Sequence, residues 1–123
     1  MSGIVNIEKC FDQFDDLFSP KIVGELNGQH VKLVRAEGDK VPLHTHDDED
    51  ELFFVFEGEL DIIDGKEELT LKPGEFYIVR HGREHRVIPR GHVKLLLFEP
   101  ADIKHTGTVR SEITKDSFDI LDL

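Results

Sequence analysis

The chain has a single cysteine, Cys10, in 123 residues. It can form no internal disulfide, and nothing in its cysteine usage points to an oxidising compartment. Long apolar runs are missing too. The longest, Leu52 to Phe56, has five residues, against about 20 needed for a helix to cross a bilayer. The opening M-S-G-I-V-N has neither the basic start nor the apolar stretch of a secretion signal, so the expected location is the cytoplasm. Positive charge is scarce: 15 Lys and Arg stand against 26 Asp and Glu, a formal net charge of −11. A phosphate backbone needs a positive surface to release its counterions, and the same acidity repels anionic membranes. Neither nucleic acid nor membrane is an expected partner. No repeat, low-complexity tract or linker divides the chain. Its length suits one domain, 1–123, with a core large enough to do without disulfides.

Near the start, Ile7, Phe11, Phe14 and Phe18 recur at helical spacing. This predicts a helix over about 6–18, capped by Asn6 and ended by Pro20, with its apolar stripe on the core. From Lys21 to about residue 100 the period shortens. Eight short β-favouring runs (I-V-G-E-L, H-V-K-L-V-R-A, E-L-F-F-V-F, L-D-I-I, E-L-T-L, F-Y-I-V, H-R-V-I and V-K-L-L-L-F) are separated by N-G, E-G-D, E-G, D-G-K, K-P-G, H-G and R-G. Short strands joined by tight turns, without regular helix–strand alternation, predict an all-β antiparallel sandwich or small barrel. The tail, 101–123, loses the alternation and is expected to wrap the outside.

Chemistry concentrates in H-T-H-D-D-E-D-E-L-F-F-V-F-E-G, residues 44–58. In extended chain His44 and His46 point to the same side, a plausible pair of metal ligands, although an H-x-H in a polar loop is common by itself. Asp47, Asp48, Glu49 and Asp50 read as a solvated turn. Glu51 differs: it opens a strand that is apolar on both faces, where a carboxylate is costly to bury without a partner such as a cation. Downstream, Gly82 marks a turn after Phe76–Val79, and His85 begins the next strand, as His44 and His46 stand near the start of theirs. His81 is expected to be exposed on the approach to that turn.

These residues carry a resemblance. Gly38–Gly58 is similar to the first cupin motif, G-x5-H-x-H-x4-E-x6-G, at every spacing. Gly74–His85 resembles the second, G-x5-P-x-G-x2-H-x3-N, with Gly74, Gly82 and His85 in place. Arg80 stands at the motif's proline and Pro89 at its asparagine, neither a metal-ligating position in the family. Fifteen residues, Glu59–Pro73, separate the motifs, a short spacing resembling that of small microbial cupins. The wider run looks like the mannose-6-phosphate-isomerase-like group of single-domain cupins. The resemblance implies a jelly-roll cupin barrel (a double-stranded β-helix) with a short N-terminal helix. It also implies one divalent metal ion held by His44, His46, Glu51 and His85.

Three neutral imidazoles and a carboxylate leave a divalent ion with a net charge of about +1 and open positions that suit a bidentate anion. Iron, manganese, nickel, copper and zinc all fit this ligand set. The expected function is that of a metalloenzyme acting on a small oxygen-rich anionic molecule, of isomerase, lyase or dioxygenase type. The alternative is a non-catalytic metal-dependent protein that binds or senses a small molecule. A second acid–base residue beside the metal would favour the enzyme, and Tyr77, His81, His92 and His105 are the sources available. Four of the six arginines fall between Arg80 and Arg90. The plain reading is a solubilising surface; the functional one is an anion-attracting rim, with Arg80 and Arg83 at the turn as candidate substrate-binding residues. On the strand L-F-F-V-F, Phe53 and Val55 share a face with Glu51, leaving Leu52, Phe54 and Phe56 to be covered. The N-terminal helix or a second subunit could cover them, and a homodimer is expected.

Overall fold

In the computed structural model of the chain, residues 3–103, 105–107, 109–115 and 117–121 are described. A helix, α1 (Ile7–Phe11), precedes seven strands: β1 (Lys21–Leu26), β2 (Gln29–Ala36), β3 (Glu51–Asp64), β4 (Glu67–Leu71), β5 (Phe76–Val79), β6 (His85–Pro100) and β7 (Asp119–Ile120). They form one sheet in the order β4-β3-β6-β2-β1-β7, with β5 paired to β3. All pairings are antiparallel except β1 with β7. The all-β jelly-roll barrel with a short helix is the observed architecture.

The eight expected runs between Lys21 and residue 100 fuse into six strands. E-L-F-F-V-F joins L-D-I-I as β3, and H-R-V-I joins V-K-L-L-L-F as β6. Their E-G and R-G dipeptides are irregularities inside two long paired strands, and the β3–β6 register shifts between Val55 and Glu59. Gly58 is required there. It has φ +87°, and a Cβ on it would stand 2.5 Å from the His92 carbonyl oxygen of β6. The irregularity bends both strands, which lets the sheet curl around a core.

That core holds the inward residues of the long strands, including Phe53, Val55, Leu60, Ile62, Val87, Val93, Leu95 and Leu97. A second cluster lies outside the sheet, where Cys10 and Phe11 pack on Val23 and Leu33 with Phe56 against them; the Phe11 and Phe56 rings stack at 5.8 Å.

The helix is shorter than its stripe predicted. Asn6 caps it as expected, its side chain accepting from the Lys9 N–H at 3.0 Å, but it ends at Phe11. Arg35 of β2 supplies the reason, donating to the carbonyls of Phe11 (2.7 Å) and Phe14 (2.9 Å) that a longer helix would have used. The chain then turns through Phe18, at φ 53°, and Leu17 bridges to Arg35. Phe18 therefore joins the barrel core, while Phe11 and Phe14 stay with the outer cluster. The tail also departs from expectation. Ile103 and Thr106 are buried, and Gly107 lies so close to the Thr45 carbonyl that a Cβ would come within 2.2 Å of it. The segment after β6 thus closes over the loop that carries His44 and His46. No described helix is long and apolar enough to cross a membrane.

Candidate metal centre

His44 and His46 lie on the connection from β2 to β3, Glu51 is the first residue of β3, and His85 is the first of β6. Backbone pairing draws these points together. β2 leaves β6 beyond Val93, and His44 takes up the vacated edge by a two-way bridge with His85, at 3.0 and 2.9 Å. The Gly82 N–H donates to the His46 carbonyl at 2.7 Å, and Glu51 pairs with Val79 of β5. One ligand atom from each of His44, His46, Glu51 and His85 lies within 4.8 Å of the others, and all four residues are buried.

The ring orientations are settled by backbone carbonyls. His44 Nδ1 is 2.8 Å from the Pro42 carbonyl and His85 Nδ1 is 3.0 Å from that of Arg83. A carbonyl only accepts, so each Nδ1 carries the hydrogen and each neutral ring presents a bare Nε2 lone pair inward, the arrangement that metal-binding histidines use. His46 Nε2, Glu51 Oε1 and His85 Nε2 are buried without a hydrogen-bond partner. Glu51 Oε1 stands 3.5 Å from His46 Nε2 and 3.4 Å from His85 Nε2. Orphaned donor atoms of this kind, converging from neutral imidazoles and a carboxylate, fit a divalent cation.

Burial pulls the His44 pKa down to about 4, keeping its ring neutral. At His85 burial also favours the neutral ring, but the nearby Glu51 carboxylate and the Arg83 carbonyl outweigh it and the pKa is raised. Burial opposes the charge on Glu51, yet His46 and His85 hold its pKa well below the usual carboxylate range.

Sequence reasoning missed Glu99 and Lys32, while His105 is one of the four acid–base sources named from the sequence. Glu99, on β6, is buried with Lys32 of β2, Oε1 to Nζ at 2.9 Å. The ammonium also lies 3.6 Å from the centre of the Phe118 ring. Burial and the charge on Glu51 push the Glu99 pKa well above the usual carboxylate range, against the pull of the Lys32 ammonium. His105, from the tail, lines the same cavity as His44, Glu51 and Glu99. Its pKa falls to about 4 through burial, and its Nε2 has no partner. A signal for Glu99 and Lys32 existed: each occupies an inward register otherwise filled by residues such as Leu95, Leu97, Val34 and Ala36.

The other candidates lie elsewhere. Arg80 is exposed and pairs with Asp50 at 3.4 Å. Arg83 donates to the buried Asp64 carboxylate at 2.7 Å, and neither arginine lines the cavity. The Tyr77 hydroxyl donates to Asp64 at 2.6 Å, which raises its pKa to about 12. His81 sits exposed on Asp50, and His92 contacts Arg35 and Glu37. Asp50 is more than a solvated acid, because it also accepts the His81 N–H at 2.9 Å and ties the β5–β6 turn to the start of β3.

A curled antiparallel sheet with three inward imidazoles and a carboxylate at its strand starts defines a barrel able to hold a divalent ion. The cupin domain model matches residues 32–99, and the chain belongs to the cupin family. A cupin-2 domain protein from Shewanella frigidimarina is 35% identical, with TM-score 0.76 over 79% of this chain and 94% of that one. A Neisseria meningitidis protein is 24% identical, with TM-score 0.71 over 80% and 99% of the two chains. One from Thermus thermophilus is 20% identical, with TM-score 0.66 over 79% and 95%. The latter two share the fold. No curated protein matches the chain.

Proposed function

We propose that this chain is a metal-dependent cupin that acts on a small anionic molecule with paired oxygen atoms. The carrying observation is the set of buried, partnerless ligand atoms on His46, Glu51 and His85, with His44 beside them. His44, His46, Glu51 and His85 would hold the ion, one of iron, manganese, nickel, copper or zinc. Bound there, it would supply Lewis acidity to a coordinated oxygen, or redox chemistry if it is iron or copper.

The protein's own groups favour an enzyme over a sensing module. Glu99 and His105 are two proton-exchanging side chains in the wall of the cavity that holds His44 and Glu51. Affiliation with mannose-6-phosphate-isomerase-like cupins carries no substrate with it, because among the described residues no lysine or arginine lines the cavity to hold a phosphate. Isomerase, lyase and dioxygenase types all remain consistent with the reading.

The test is elemental analysis of protein purified without a chelating column, as wild type and His85→Ala. One equivalent of a transition metal or zinc in wild type, and its loss in the variant, supports the reading. Equal, negligible metal in both after incubation with each candidate ion refutes it.

The same reading includes a homodimer. On the outer face of β3, Leu52 stands between Ile78 and Phe98, and Phe54 between Phe76 and Leu96. Phe76 is 59% exposed, and the N-terminal segment covers Phe56. A second copy of the chain is the occupant that we assign to this surface.

A further inference from the structure

His44 and Glu51 lie in the wall of a cavity of about 60 Å³. Sites for drug-sized ligands run to about 300–1,000 Å³, and one water's share of the liquid is about 30 Å³. The cavity therefore admits only a few non-hydrogen atoms. Its wall is mostly hydrocarbon: ten of the fifteen lining residues are apolar, among them Phe53, Val87 and Leu97 from the barrel and Ile113 from the tail. A sugar would lay hydroxyls against this surface without partners; a short aliphatic body would not.

Beyond the ligand set, the polar lining among the described residues is Glu99, His105 and Thr106. Thr106 Oγ1 is already bonded to Thr114 Oγ1 at 2.6 Å. Glu99 Oε2 and His105 Nε2 have no partner. The His105 ring is engaged with the Ile113 backbone through a hydrogen bond that favours its protonated form, as donation to a carbonyl does. Its remaining nitrogen, Nε2, is then an acceptor and calls for a donor from the ligand. A hydroxyl supplies one, whereas a ketone or an alkyl group does not.

We propose that the ligand is a short-chain aliphatic hydroxy acid, and that Glu99 and His105 determine its specificity. Its hydroxyl donates to His105 Nε2, and Glu99 Oε2 makes the second contact. This rests on the metal-dependent reading above and narrows it to one substrate class.

The test uses manganese-loaded full-length protein and isothermal titration with 2-hydroxybutyrate, butyrate and gluconate, with metal content measured alongside. Wild type should bind 2-hydroxybutyrate about tenfold or more tightly than butyrate, the worth of a hydrogen bond, and should bind gluconate more weakly than either. His105→Ala should remove the hydroxyl preference without changing metal content. His105→Gln, whose amide oxygen can accept, should restore part of it.

A wider recess of about 530 Å³ shares His105 and Thr106 but none of the four ligand residues. Gluconate binding as tightly as 2-hydroxybutyrate would mean that ligands extend there, and would overturn the size argument. An undiminished hydroxyl preference in His105→Ala would overturn the assignment of His105. Protein that takes up no metal removes the reading beneath this one as well. Protein that takes up metal but shows neither size limit nor hydroxyl preference removes this inference alone.

Discussion

Stripping the metal should cost this domain much of its stability, by an amount that follows from the geometry. His46 Nε2, Glu51 Oε1 and His85 Nε2 are buried with no partner. Each such group costs about 1–3 kcal/mol, and the three together about 3–9 kcal/mol, against a total of about 5–15 kcal/mol for a typical domain. An ion that satisfies them binds the folded chain alone. With free metal at a thousand times its Kd, linkage adds about 4 kcal/mol. For a domain of this size each kcal/mol moves Tm by about 3–5 °C, so the ion should raise Tm by roughly 12–20 °C. The assay is calorimetry on chelator-treated protein before and after each candidate ion is restored, for wild type, His85→Ala and Glu51→Gln. Wild type should show the full rise, and both variants should lose most of it. A rise of the same size in wild type and His85→Ala would refute the reasoning, because His85 would then be contributing nothing to the site.

Acid should weaken the metal's effect. The His85 pKa lies above its ordinary 6.5. The metal-free protein therefore draws stability from protonated His85 below that value, and loses it as pH rises through the folded-state pKa. The ion needs the neutral ring, so the metal-induced gain in Tm should shrink as pH falls through the raised His85 pKa; a gain that stays constant down to about pH 6 would contradict the assigned ligand set. Gly58→Ala should destabilise by roughly 2–5 kcal/mol in urea titration, combining a left-handed φ with a clash against the β6 backbone. Gly74→Ala has a similar φ of +86° but open space around it, so it should cost only about 1–2 kcal/mol, and equal losses would refute the close approach at Gly58. Phe76→Glu should turn a dimer into a monomer by light scattering, while a monomeric wild type at micromolar concentration would remove the proposed interface.

Much of the candidate centre was legible because its information is local. The spacing His44-x-His46-x4-Glu51 puts two imidazoles on one side and a carboxylate at the mouth of an apolar strand. Gly82 before His85 starts another strand in the matching place. Alternation and turn residues were enough for an all-β class. The errors came where a residue's meaning depends on what lies across from it. Glycines at 58 and 91 look like turns in one dimension; with β3 paired to β6 along both their lengths, they become irregularities within continuous strands. The stripe Ile7–Phe18 looked like one helix because its periodicity says nothing of Arg35, which captures the Phe11 and Phe14 carbonyls from another strand.

The amino-acid sequence by itself determined the strand-rich class, the single cysteine's inability to bridge and the ligand types at their spacings, since all of these depend on residue identity and short-range geometry. The tertiary structure alone decided which charges are buried together, because burial is a property of the closed barrel. It set Glu99 against Lys32 and Glu51, took Arg80 and Arg83 away to surface and turn carboxylates, and folded the tail back so that His105 lines the cavity of His44 and Glu51.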